Sequence, residues 1–417
     1  MGKTALKCNK VFCSVNGKVL NDMVIIVDGE YIESVKTADE AGNLAGYNVI
    51  DMGDRFVTAG LIDAHIHLTS NGEASQVGTR PYLTLGTATL KALKHANLDL
   101  MAGFTTLRTS GDPGYVDVAL RNAINRGEHK GPRLMVPGVG VTSTGGHGDT
   151  QYHPYLTEPP PYISNVGNGT SALKKAVRYN IKHGVDYIKF IATGGVMSLG
   201  TTVGAQQMSL AEMTAICETA AMYGCTTATH GHGASGINDA IRAGVTSIEH
   251  GTLMDDEGRQ LMLEKGTYLV PTLIAGYLIA TMGPKIGTPQ FFVDKANQVF
   301  WTATGGFRKS VELGVKIAFG TDTATPHSFH GKQALEFELM VEHGMTPAQA
   351  IVSATKTGSE LLQMQDTIGT IEPGKFADIV AFDGDPLADI KAMNNCCFVM
   401  KGGEVMKCWD GCADVAC

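Results

Sequence analysis

The stretch VTAGLIDAHIHL, residues 57–68, ends an apolar run by setting His65 and His67 one residue apart. In a strand, positions i and i+2 share a face, so two neutral imidazoles would project side by side and chelate one divalent cation. The plainer alternative is a pair of histidines that cap a strand end and bond to loops. Three further strand-like runs also close on a metal-ligating residue: TTATH on His230, VTSIEH on His250 and VKIAFGTD on Asp322. Four histidines and an aspartate at the ends of separate strands form a convergent set rather than a scatter.

Lys189 adds a group of another kind. In DYIKFIATGG it sits among Tyr187, Ile188, Phe190 and Ile191, where an ammonium is costly to desolvate. Its stem could snorkel toward solvent. Beside two cations, however, desolvation and like charge would depress its pKa and leave a neutral amine able to take up CO2. The resulting carbamate would be an anionic oxygen ligand able to bridge two metals.

These residues need elements to carry them. From residue 60 to about 365, short β-branched runs alternate with longer helical patterns. Eight strand candidates stand out: GLIDAHIH (60–67), FTTLR (104–108), RLMVPGVGV (133–141), DYIKFIAT (186–193), TTATH (226–230), VTSIEH (245–250), TYLVPTLI (267–274) and VKIAFGTD (315–322). Between them, SALKKAVRYNIKHG and SLAEMTAICETAAMYG have helical spacing and close on glycine, and SLAE (209–212) is a capping-box pattern. The expected fold is α/β, a (β/α)8 TIM barrel over residues 59–365 with its active site at the C-terminal ends of the strands. A doubly wound sheet is the competing architecture. Residues 1–58 and 366–417 carry strand-like pieces with glycine turns, and are expected to form one composite β-sandwich domain from both termini.

Composition narrows the partners. With 33 Lys+Arg against 41 Asp+Glu the 417-residue chain has a formal net charge of −8, so it offers no basic face to nucleic acid or an anionic membrane. No apolar run nears the ~18 residues that span a bilayer, and MGKTALKCNKVFCSVNGK lacks a signal-peptide core. A soluble, cytoplasmic protein is expected. Nine cysteines, an odd number, suit a reducing compartment better than a disulfide framework. Cys396, Cys397, Cys408, Cys412 and Cys417 cluster at the C-terminus, but their spacing matches no CxxC zinc knuckle.

The set DAHIH, IKFIATGG, THGH, SIEHG and FGTD, with the C-terminal IGTIEPGKFADIVAFDGDPL, resembles the metal-dependent amidohydrolase superfamily over essentially the full length. More narrowly, GLIDAHIHL, GGHGD, YIKFIATGGVMS, GINDAIRAGVTSIEHGTLMD and PGKFADIVAFDGDPL are similar to the subgroup of Xaa-Pro dipeptidases, related carboxypeptidases and ochratoxinase. The resemblance implies a barrel with a two-metal centre, usually zinc. His65, His67 and Asp322 would bind the buried ion, and His230 and His250 the more exposed one. Lys189, as N6-carboxylysine, would bridge them. It further implies hydrolysis of an amide next to a free carboxylate, as in dipeptides, N-acyl amino acids or ochratoxin A. A metal-bridging hydroxide would attack, and Asp322 would shuttle the proton to the departing amine.

His147, in STGGHGD, matches a family position that helps hold the substrate carbonyl oxygen, and His232 could orient a substrate carboxylate. Both could instead be exposed loop histidines. The glycines of GVGVTSTGGHG precede no Gly-Lys-Ser/Thr, so a flexible active-site loop fits better than a phosphate cradle. One departure concerns the second strand. Relatives carry an Arg-Asp pair there, whereas this chain has Arg108 followed by Thr109. A deaminase or cyclic amide or imide hydrolase of the same superfamily is the alternative enzyme. Mononuclear deaminases, however, place a catalytic Glu three residues after the fifth-strand histidine, and here GHG follows His230. A catalytically silent scaffold is the non-enzymatic alternative. Tyr152, His153, Tyr155 and EPPPYISN (158–165) read as a lid or a plain surface loop. Homo-oligomers are common in this group, so assembly is expected.

Overall fold

The computed structural model describes residues 3–73, 83–149, 164–410 and 412. In chain order the described strands are β1 (Thr4–Cys13), β2 (Lys18–Asp28), β3 (Tyr31–Thr37), β4 (Asn48–Ala59), β5 (Leu61–Ile66), β6 (Phe104–Thr109), β7 (Arg133–Met135), β8 (Gly140–Thr142), β9 (Ser164–Val166), β10 (Tyr187–Ile191), β11 (Thr226–Gly233), β12 (Ser247–Leu253), β13 (Tyr268–Val270), β14 (Ile379–Phe382), β15 (Cys396–Lys401) and β16 (Glu404–Lys407). The chain divides into two compact units. One takes Met1–Asp63, Asn97–Thr106 and Gly331–Cys417, and the other Ala64–Ala96 and Leu107–His330.

The first unit knits the two ends of the chain into one mixed sheet of order β16-β15-β14-β4-β1-β2-β3. Only β1 and β4 run parallel; every other pairing is antiparallel. Alternation sends Leu6, Cys8, Ile25 and Val27 into a large apolar cluster on one face. Ala5, Val24 and Ile26 meet Ala41, Leu44 and Tyr47 on the other. Near the C-terminus, Cys408 and Cys412 are joined by a disulfide, while Cys396 and Cys397 are free thiols.

The second unit carries a six-stranded sheet of order β13-β12-β11-β10-β8-β9, parallel throughout. A separate three-stranded sheet has the order β5-β6-β7. Backbone bonds continue past the outer edge of β13. Leu269 N donates to Lys316 O (2.8 Å) and Ala318 N to Leu269 O (3.0 Å). The same segment then reaches the end of β5, with Ala64 N bonded to Phe319 O (2.9 Å), Asp322 N to His65 O (2.7 Å) and His67 N to Thr323 O (3.1 Å).

Helices follow the strands as the apolar spacing predicts, including Gly169–Lys182 and Leu210–Ala221. The capping box is present: Ser209 Oγ accepts from Glu212 N while Glu212 accepts from Ser209 N. Several strand candidates come out shorter than expected, and VKIAFGTD (315–322) holds only an isolated bridge, Ile317 to Leu269. RLMVPGVGV splits into β7 and β8 because Pro137 has no N–H to donate and Gly138 takes φ +69°. TYLVPTLI stops at Val270, ahead of Pro271, and Leu273–Thr281 is a helix. Among the described residues, no helix is long and apolar enough to cross a membrane.

Candidate metal centre

In the second unit, β5, β10, β11, β12 and the segment 316–323 bring His65, His67, Lys189, His230, His250 and Asp322 to one cavity of ≈ 390 Å³ that His147 and His232 also line. His65 and His67 project from the end of β5, and Asp322 Oδ1 lies 3.4 Å from His65 Nε2 and 3.1 Å from His67 Nε2. His230 and His232, two apart on β11, both point inward, with ring centroids 4.5 Å apart. The His250 ring lies 5.0 Å from that of His65 and 4.6 Å from that of His230.

A regular β12 would send Glu249 and His250 to opposite faces. His250 instead adopts φ +72°, and Asp322 φ +55°, left-handed conformations that non-glycine residues rarely occupy and that concentrate at functional sites.

The imidazoles are held from behind. His65 Nδ1 donates to Glu249 Oε2 (2.6 Å) and His67 Nδ1 to the Gly111 carbonyl (3.2 Å). Nδ1 of His250 is hydrogen-bonded to Thr272 Oγ1 and that of His232 to Thr252 Oγ1, each at 2.7 Å. Such partners fix the ring orientation and leave Nε2 for a ligand.

Burial, reinforced by neighbouring imidazoles, pushes the pKa of His230 and His250 well down and that of His232 to about 3. At neutral pH all three are neutral, the form that binds metal. Burial alone would raise Asp322, but His65 and His67 outweigh it and hold the carboxyl well below its usual range. Lys189, 2% exposed, is pushed down to about 8, first by burial and also by Arg108, against the opposing pull of Glu249 and Asp322.

Among the described residues, two polar atoms in this cluster find no hydrogen-bond partner: Lys189 Nζ and His230 Nε2. Buried orphans of this kind are rare and costly. The ligand atoms of His230, His232 and His250 lie within 4.8 Å of one another, as do those of His65, His250 and Asp322. Nitrogen and carboxylate donors at this spacing, with orphaned atoms among them, fit divalent cations.

His147 and His232 are not exposed loop histidines. His232 is 6% exposed, and His147 stacks on His230 with centroids 4.4 Å apart. Glu249, unremarked in VTSIEH, is fully buried and also accepts from Arg108 (2.8 Å) and Ser247 (2.6 Å). Its signal was an acid inside an apolar strand. Thr109 turns away from the cavity, donating to the buried Asp117 (3.1 Å), so the departure from the Arg-Asp pair falls in the support behind the site. The lid segment, apart from Ser164 and Asn165 in β9, lies outside the described residues.

Known proteins resemble this chain in sequence and fold. A curated ochratoxinase of Aspergillus niger is 32% identical over 373 residues, covering 84% of this chain and 75% of the relative. Among solved structures, a Xaa-Pro dipeptidase with methionine bound in its active site superposes with a TM-score of 0.88 at 37% identity, covering 97% of this chain and 100% of that one. The A. niger ochratoxinase structure gives 0.86 at 27% identity, covering 98% and 96%. The Amidohydrolase family profile matches residues 56–406, the span that contains every histidine, lysine and aspartate of the cluster; the chain belongs to the amidohydrolase family and is a hydrolase.

Proposed function

We propose that this hydrolase is binuclear and cleaves an amide bond adjacent to a free carboxylate, in a dipeptide, an N-acyl amino acid or an amide-linked toxin such as ochratoxin A. The convergence of His65, His67, His230, His250 and Asp322 around the orphaned Nζ of Lys189 carries this reading. In it, the six-stranded sheet and the β5-β6-β7 sheet, continued by the bonds of residues 316–323, are one (β/α)8 barrel.

His65, His67 and Asp322 would hold one ion, His230 and His250 the other, and Lys189, carboxylated on Nζ, would bridge them. When bound, two divalent cations, zinc in the usual case, polarise a carbonyl and lower the pKa of water toward neutrality. Asp322, kept ionised by the neighbouring imidazoles, accepts the proton of the attacking water and passes it to the departing amine. His147, anchored through Nδ1 to Ser198 (2.8 Å), presents its ring edge to the carbonyl oxygen. His232 is held neutral by burial, and donates to the substrate carboxylate without a competing charge.

The similarity to a Xaa-Pro dipeptidase and to ochratoxinase supports the substrate class. The test is a panel of dipeptides, N-acyl amino acids and ochratoxin A against zinc-loaded protein, each beside its C-terminal amide. Turnover confined to the free acids is expected. Equal turnover of the amides would remove the carboxylate from the reading.

A further inference from the structure

The geometry points to Lys295, on the helix Gln290–Leu313, as the residue that positions His147 by pinning the loop between β10 and the helix Leu210–Ala221. This rests on the proposed role of His147 and names a residue that acts through it.

The loop is a hairpin-like excursion closed at its base. Thr193 bridges Gln206 antiparallel, Gly194 N donates to Ala205 O (2.8 Å), and Gln207 N returns to Ala192 O (2.8 Å). From this frame three contacts reach His147. Gln207 Oε1 accepts from its backbone N (2.8 Å), and Ser198 Oγ is bonded to its Nδ1 (2.8 Å). Gly195 packs so closely that an added Cβ would stand 2.5 Å from the ring. The orientation of His147 is therefore set by where residues 195–207 lie.

Lys295 decides where the tip lies. Its ammonium donates to Ser198 O and Thr201 O, each at 2.7 Å, and approaches Gly195 O at 3.4 Å. Those carbonyls use the three donors of an ammonium. Among the described residues no carboxylate pairs with Lys295, so its charge is met by loop carbonyls. A cation in a cage of carbonyl dipoles favours the bend that points them inward. Ser198, gripped through its main chain by Lys295, is the residue whose hydroxyl holds His147.

The same helix builds the cavity wall. Phe292 and Val299 line the cavity, and Lys295 stands between them at helical spacing i, i+3, i+7, on one stripe. One rigid helix thus sets both the apolar wall and the loop carrying the partner of His147.

The test uses the metal-loaded full chain and four variants: Lys295→Met, Lys295→Arg, Ser198→Ala and the Met/Ala double. Lys295→Met is expected to raise amide exchange in residues 195–204 at least tenfold, to leave metal content unchanged and to lower kcat/KM roughly ten- to hundredfold. Lys295→Arg, which keeps a cationic donor, restores part of both. In the double variant the kcat/KM loss should fall short of the product of the single losses, because both act on one ring. Multiplicative losses, matching Met and Arg behaviour, or kcat/KM within twofold of wild type would overturn the assignment. If Lys295→Met does not accumulate folded, Lys295→Arg and its double with Ser198→Ala are judged by the same cycle and the same limits. Wild-type protein that cleaves nothing in the panel would count against the proposed function, while the exchange data alone would still decide whether Lys295 pins the loop.

Discussion

Glu249 stands between His65 and Arg108, taking a 2.6 Å hydrogen bond from the imidazole on one oxygen and a 2.8 Å bond from the guanidinium on the other. Although its burial opposes ionisation, Arg108 and then Lys189 keep the carboxyl well below its usual range. Glu249→Gln keeps the shape but leaves Arg108 a buried cation without its anion. Breaking such a pair costs about 3–5 kcal/mol, and, with His65 a ligand as proposed, losing its anchor should weaken metal binding about 10- to 100-fold. Urea unfolding and competition with a chelator measure the two. Metal affinity equal to wild type would show that Glu249 does not orient His65.

Asp322→Asn separates proton transfer from folding. Asp322 sits at φ +55°, a conformation that asparagine tolerates better than most residues, so the backbone accepts the change. The amide cannot accept the water proton, and kcat is expected to fall about 10²- to 10⁴-fold with most of the metal retained. Apo protein from this variant would mean that Asp322 is chiefly a ligand.

Much of this site was visible as residue types at strand ends. His65, His67, His230, His250 and Asp322 each closed an apolar run, and Lys189 was conspicuous as an amine in a greasy strand. Glu249 escaped because alternation assigns it and His250 to opposite faces, while the backbone at His250 departs from a regular strand at φ +72°. The pinning of His147 was hidden for another reason: it runs through main-chain carbonyls, which leave no mark on the side-chain sequence. In the fold, strands with β-branched runs were legible, whereas Pro137 and Pro271 cut two of them short. The joining of the two termini in one sheet depends on β4 pairing with β14, a contact across more than three hundred residues that local patterning only suggests.

The buried imidazoles make the metal-free protein acid-sensitive. His230, His232 and His250 have folded pKa values below the ordinary 6.5, so the unfolded chain takes up protons first as pH drops. Their contribution to stability should be flat above about pH 6.5 and fall below it by up to about 1.4 kcal/mol per pH unit for each histidine. For His232 that window runs down to about 3. The contribution of Asp322 has the same sign in a lower window, full above the usual carboxylate pKa of 3.8 and lost in stronger acid. Urea midpoints of chelator-treated protein at pH 7.5, 6.5 and 5.5 check this. A midpoint unchanged down to pH 5.5 would mean that the imidazoles are not buried as neutral bases.

In the proposed centre, carboxylation of Lys189 should make metal loading depend on CO2. Burial pushes the pKa of Lys189 down to about 8, so the neutral amine gains population as pH rises toward and past that value. Carbamate formation joins the neutral amine to CO2 and releases a proton, so reconstitution with zinc in CO2-depleted buffer should be slow at pH 7. Bicarbonate or higher pH should speed it. Lys189→Ala should lose the bicarbonate effect, and identical reconstitution with and without bicarbonate would exclude the carbamate.

The most direct measurement is the metal content of chain reconstituted with zinc and bicarbonate, read by mass spectrometry beside Lys189→Ala and His230→Ala. About two ions per wild-type chain are expected, falling to one or fewer in each variant together with a loss of amide hydrolysis. Wild-type chain that binds no zinc, or variants that keep both ions and full activity, would contradict it.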